Sequence, residues 1–150
     1  MNDMRSQLEP VRVGLVLGLV AVLYGWSLGI LFGAGEHWLR QGFIRAHLHA
    51  GAIGSIAIGG SVALALLGVS ARLKTVASTL LGLGSVGYSV FWMWAGLRAP
   101  TLGSTGAAKE SLRWLAWPSS GALMVGALLT IALVTGNLFL GRTAGPKGAE

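Results

Sequence analysis

Residues 46–71 read AHLHAGAIGSIAIGGSVALALLGVSA and hold no Asp, Glu, Lys or Arg over 26 consecutive positions. A helix of about 18 or more uncharged, mostly apolar residues is long enough to cross roughly 30 Å of hydrocarbon. Three other uncharged stretches are of similar length, at 13–35, 75–97 and 114–141. The four stretches cover 100 of the 150 residues, which excludes a soluble enzyme, a nucleic-acid-binding domain and a disordered chain.

The predicted fold is therefore all-α, an integral membrane four-helix bundle in a single domain. We expect helices over about 13–33, 44–68, 75–97 and 116–140, an irregular connector over 98–113 and a polar tail over 142–150. Small residues recur every four positions in the spans, as in Gly51, Ser55 and Gly59, and the chain has 24 glycines. This spacing lets membrane helices approach closely, so it predicts tight packing and a homo-oligomer.

The net charge of +6 comes from basic residues at the ends of the uncharged stretches. Basic residues in that position face lipid headgroups, so membrane lipid is the expected partner and nucleic acid is not. Six of them share a side with the termini and five lie on the other side, which does not decide the orientation. We expect a multi-pass protein of the bacterial inner membrane, with both termini in the cytoplasm. The chain has no cysteine, which excludes disulfides and thiol chemistry.

Two histidines stand at the start of the second span, in Arg45-Ala46-His47-Leu48-His49. Ionisable side chains in a bilayer are costly and face a partner, a cofactor or the bundle interior. Residues two apart are rotated by about 200° around a helix, so the two histidines need separate partners. His47 shares a helix face with Gly51 and Ser55, against which a flat haem can lie with His47 as the iron ligand and Arg45 pairing a propionate. The alternative is an interfacial histidine bonded to a carbonyl or a lipid phosphate.

Other polar groups in the spans are few. Carboxylates are nearly absent there, which removes a mechanism based on paired carboxylates. Tyr88 and Trp92 lie four residues apart on one face of the third span, where they either border a substrate pocket or pack in the core. Asn137 is expected to bond between helices. Glu36 and His37 are expected in a solvated loop.

The stretch Ile44-Arg45-Ala46-His47, followed by a glycine-rich apolar helix, resembles the second helix of the styrene oxide isomerases, which are small four-helix membrane enzymes. The resemblance extends along the chain at 14–35, 85–88 and 123–136, and Arg-Ala-His is its one sharply matching motif. It implies a homotrimer with haem b between subunits and His47 as the axial ligand. It also implies that ferric iron acts as a Lewis acid in isomerising a small hydrophobic epoxide to an aldehyde.

Three polar positions of that family differ here. Ile53 stands where the family has an asparagine, Leu81 where it has an aspartate, and Ser89 where it has the pocket tyrosine. Tyr88, one position earlier, is the remaining candidate catalytic residue.

Two other functions stay open. The His-x-His pattern is similar to a helix of haem-copper oxidase subunits, which would make this a redox or haem-carrying protein with His49 of a neighbouring helix as second ligand. A non-catalytic accessory subunit of a membrane complex would hold no cofactor.

Overall fold

The computed structural model describes the backbone of residues 2–32 and 37–140, and the side chains of residues 4–27, 47–104 and 106–139. Those residues are helical almost throughout and form no strand. The elements in chain order are α1 (Asn2–Leu8), a 3₁₀ helix (Glu9–Val11), α2 (Arg12–Phe32), α3 (His37–Ala65), α4 (Ala71–Leu102), α5 (Thr105–Ser111) and α6 (Arg113–Leu140).

Four helices, α2, α3, α4 and α6, are long and apolar enough to cross a membrane. This confirms, for the described residues, the all-α class and the presence of four helices of membrane-spanning length. The longest of them, α4, has 32 residues and would extend over about 48 Å, well beyond the hydrocarbon thickness. It therefore reaches past the hydrocarbon layer and can carry structure at the membrane surface.

Helix α4 starts before and ends after the predicted third span because both of its ends are capped. The Ser70 hydroxyl accepts a hydrogen bond from the backbone N–H of Leu73, which starts the helix at Ala71. The helix continues through Pro100, which lies in its last turns, and ends at Gly103, whose φ of 72° is left-handed. The irregular connector expected over 98–113 is wrong: the end of α4 and the whole of α5 occupy it.

Lys74, which the sequence predicts at the membrane surface, instead contacts the end of α3. Lys74 is buried, and its Nζ donates to the carbonyl oxygen of Ala65 at 2.9 Å. A helix leaves its last carbonyls without partners within the helix, and a cation at that end also interacts favourably with the helix dipole. Lys74 therefore joins the end of α3 to the start of α4.

Helix α4 is at the centre of the fold, and α2, α3, α5 and α6 all pack against it. The α2 and α3 helices also pack extensively on each other, whereas α3 and α6 scarcely touch. Glycines allow the closest approaches: a Cβ on Gly126 of α6 would lie 2.7 Å from the Leu81 nitrogen of α4, and one on Gly82 would lie 2.7 Å from Leu17 Cβ of α2. The predicted close packing is thus present at these two crossings.

The small-residue face of α3 has no such close approach. A Cβ added to Gly51 or Gly59 would have no neighbouring heavy atom within 4 Å, and Ser55 is exposed. We call Gly51, Ser55 and Gly59 the open ridge. Among the described residues it has no neighbour from another helix at Gly51 or Gly59, so its four-residue spacing is not used for packing there.

Candidate functional site

His47 lies at the start of the membrane-spanning part of α3 and is half-buried. Its Nδ1 is 2.8 Å from the carbonyl oxygen of Gly25 in α2. A carbonyl oxygen only accepts hydrogen bonds, so Nδ1 is the donor in this contact. No described group bonds to Nε2. This is the carbonyl contact that the alternative of an interfacial histidine predicts, and it also leaves Nε2 on the far side of the ring for a ligand.

The open ridge continues from His47 along α3 at intervals of four residues. Within it, the Ser55 hydroxyl donates to the Gly51 carbonyl at 2.7 Å, so its polar group is satisfied inside the helix. The result is a flat strip beside His47 that no other described helix covers and that demands no polar partner. Such a strip can accept a planar group or a second helix.

His49 has a different set of neighbours. Its ring stacks on Trp92 of α4, with centroids 4.8 Å apart and an interplanar angle of 26°, and lies 5.8 Å from the ring of Tyr88. His47 contacts α2, whereas His49 packs on α4, as the rotation of about 200° between them requires. The structure therefore does not bring the two histidines into one site within the protomer.

Trp92 and its neighbours form an aromatic cluster that α5 covers. Trp92 is 8% exposed and meets Tyr88 and Phe91 edge-on. From α5, the Lys109 Nζ lies 4.5 Å from the centroid of the Trp92 ring, within range of a cation–π interaction. Sequence reasoning missed Lys109, because the connector has no hydrophobic periodicity that would place one of its residues over a span.

A cavity of about 510 Å³ lies between α3 and α6, with α4 behind it. Its volume is within the usual range for small-molecule sites. The residues around it are mostly apolar, and they are His49, Ile53, Ile56, Tyr88, Ser120, Leu123, Met124 and Ala127. The structure thus places Tyr88 beside a cavity together with His49, whereas His47 does not line it. The gap exists because α3 and α6 both pack on α4 and scarcely meet each other.

Four other residues have roles predicted from the sequence. His37 is the first residue of α3, so its expected place in a loop is wrong, and Arg45 lies in the same helix. The side chains of Glu36, His37 and Arg45 lie outside the described residues. Asn137 is exposed and makes no hydrogen bond within the described chain, so it does not join helices as expected. Among the described residues, no group of three or more His, Asp or Glu side chains could hold a metal ion.

Comparison with protein-family models, with curated proteins and with solved structures finds no match to this chain.

Proposed function

We propose that this chain is an integral membrane protein that binds haem b, with Nε2 of His47 as the axial ligand. The observation that carries the proposal is the 2.8 Å contact between His47 Nδ1 and the Gly25 carbonyl oxygen. Histidines that bind metals donate their other ring N–H to a carbonyl or a carboxylate, which fixes the ring and its tautomer. His47 has this arrangement within a membrane-spanning helix, where an imidazole without a function is rare.

The surroundings of His47 suit a planar macrocycle. The open ridge lies on the same face of α3, and at Gly51 and Gly59 even an added methyl group would meet nothing. Haem placed there would face outward from the protomer, which agrees with a cofactor shared between subunits of a homo-oligomer. The resemblance to the styrene oxide isomerases suggests a trimer, and Arg45 is the expected partner of a propionate.

The resemblance also suggests a reaction, the isomerisation of a small hydrophobic epoxide to an aldehyde. When bound, haem b supplies a ferric iron that acts as a Lewis acid toward an oxygen atom. The chain's own part is to hold the group through His47 and to keep water away with apolar helix faces. His49 packs on α4 rather than beside His47, which favours an isomerase over a redox protein that would use His49 as a second haem ligand.

The test is an absorption spectrum and a pyridine haemochrome assay on the detergent-purified full-length protein. We expect a Soret band and stoichiometric b-type haem in the parent, loss of most of the haem in His47→Ala, and retention in His49→Ala, the matched control two residues away. A folded His47→Ala protein with full haem content would overturn the assignment. So would a parent protein that stays colourless after haem is offered.

Epoxide isomerisation is tested by a separate measurement. The haem-loaded protein is incubated with styrene oxide, and phenylacetaldehyde is measured by gas chromatography. Product above the rate of free haem in the same detergent is expected. Its absence from a fully haem-loaded protein would remove the isomerase assignment and leave haem binding intact.

A further inference from the structure

We propose that a groove along the N-terminal helices binds one anionic phospholipid with a hydroxyl-bearing headgroup, of the phosphatidylglycerol type. The groove has a volume of about 380 Å³ and is lined by residues of α1, the 3₁₀ helix and the start of α2, which are Arg5, Leu8, Glu9, Arg12, Leu15 and Val16. The site goes beyond the proposed haem function because it lies before the part of α2 that contacts His47 and uses no residue of α3.

The groove changes from charged to apolar along its length. Its residues recur every three or four positions, so they share one face of consecutive helical turns. Arg5, Glu9 and Arg12 are exposed and precede the first uncharged stretch, whereas Leu15 and Val16 lie within that stretch. A lipid phosphate held by the arginines at the membrane surface therefore places its acyl chain beside Leu15 and Val16. Free phosphate would leave the apolar part uncovered, which favours the lipid.

The charges of the groove are not balanced within the protein. Glu9 forms an ion pair with Arg12 at 3.1 Å, and the Arg5 guanidinium makes no ion pair or hydrogen bond within the described chain. Two arginines and one glutamate leave one net positive charge. Phosphatidylglycerol carries one net negative charge, and its glycerol hydroxyls can donate to the Glu9 carboxylate. A zwitterionic lipid brings no net charge and would leave the excess in place.

The basic residues near the end of α4 differ, because they have partners in the protein. Arg98 Nη1 donates to the Ser111 hydroxyl at 3.2 Å, and Arg113 pairs with Glu110 at 2.8 Å. Within the described chain, the free guanidinium beside a groove is thus that of Arg5, at the N-terminal end.

The groove is formed before a lipid binds. Leu8 and Leu15, which line it, also pack against a buried cluster of Val11 with residues of α3 and α4. The 3₁₀ helix between α1 and α2 contacts both of those helices. Since its apolar lining is already fixed, lipid binding does not have to order it, which reduces the entropic cost of association.

The experiment is a lipid titration of the full-length protein in detergent, read by native mass spectrometry. The two lipids are palmitoyl-oleoyl phosphatidylglycerol and the phosphatidylcholine with the same acyl chains. We expect one phosphatidylglycerol per protomer to bind more tightly than phosphatidylcholine. Arg5→Gln should weaken its binding about fivefold, the value of one basic residue beside an anionic lipid. Arg12→Gln should weaken it at least as much, because Glu9 then faces the phosphate without its ion-pair partner.

Two control variants and one localising probe accompany the titration. Arg72→Gln removes an exposed arginine at the start of α4 that does not line the groove, and should leave binding unchanged. His47→Ala should also leave it unchanged, which separates this site from haem binding. Phosphatidylglycerol with a diazirine in its acyl chain should label Leu15 or Val16, as mapped by mass spectrometry.

Four results would overturn the proposal. Equal weakening by Arg5→Gln and Arg72→Gln would indicate general attraction between a basic protein and an anionic lipid. Equal binding of the two lipids would show that the headgroup charge is not recognised. Displacement of phosphatidylglycerol by inorganic phosphate would indicate an anion site that makes no use of the acyl chain. Labels spread over other exposed apolar residues would place the lipid outside the groove.

Discussion

At the scale of single residues, two histidines two positions apart have opposite roles because a helix turns by about 100° per residue. His47 is fixed by one hydrogen bond to a backbone carbonyl and keeps a ring nitrogen for a ligand. His49 is fixed by the faces of aromatic rings. The separation could be predicted from the sequence, since it depends on helix geometry alone. The neighbours could not, because Gly25, Tyr88 and Trp92 come from other helices.

Substitution of His49 tests its part in the packing. His49→Ala removes the stacking on Trp92 and the contact with Tyr88, so we expect the free energy of unfolding to fall by about 1–2 kcal/mol. The measurement is an SDS titration followed by circular dichroism. His49→Phe should recover most of the loss because it restores a stacked ring. Leu48→Ala, at an exposed neighbouring position, is the control and should change little.

If the free energy of unfolding of His49→Ala equalled that of the parent, His49 would not stabilise the fold by this packing. It would mean that the imidazole is held by something other than the two aromatic rings.

At the scale of elements, the spans could be predicted because uncharged runs of membrane length leave few alternatives. The ends of α4 could not be predicted as well. Pro100 and the glycine after Leu102 indicate a break, but a proline in the last turns removes only one hydrogen bond. The break itself comes at Gly103, and Ser104 then caps α5, where its hydroxyl accepts from the Ala107 N–H at 3.1 Å. The cavity between α3 and α6 depends on how three helices pack, which local sequence does not encode.

The crossing of α4 and α6 depends on a single small residue. A Cβ on Gly126 would lie 2.7 Å from the Leu81 nitrogen, and backbone atoms cannot yield as a flexible side chain can. Gly126→Val should therefore lower the free energy of unfolding by about 3 kcal/mol or push α6 away from α4. Gly136→Val on the same helix is the matched control, because a Cβ there meets nothing within 4 Å.

The measurement for this pair is thermal unfolding in detergent, with both variants compared to the parent. Equal melting temperatures for Gly126→Val and Gly136→Val would show that α6 is not held at this crossing. Such a result would also mean that α6 does not form one side of the cavity between α3 and α6.

At the scale of the whole molecule, the glycines of the spans form two groups, which the sequence alone does not distinguish. One group lies at contacts between helices, and the other faces open space. Gly82, Gly84 and Gly126 lie at contacts between helices of the protomer. Gly51 and Gly59 have open space in front of them. In lipid, a ridge of small residues gains its stability from close packing against another surface. A protomer that leaves such a ridge open is therefore expected to cover it with haem, with a second copy, or with both.

Substitutions on the open ridge test that expectation. Gly59→Leu should leave the protomer folded, because the new side chain meets no atom of its own chain, but should prevent close approach of another copy. We expect it to shift the protein from an oligomer to a monomer in native mass spectrometry and to lose haem along with the assembly. Gly136→Leu adds the same side chain at an open position on α6 and should leave the oligomer intact. An unchanged oligomer in Gly59→Leu, with haem retained, would place the subunit contact and the cofactor away from this face of α3.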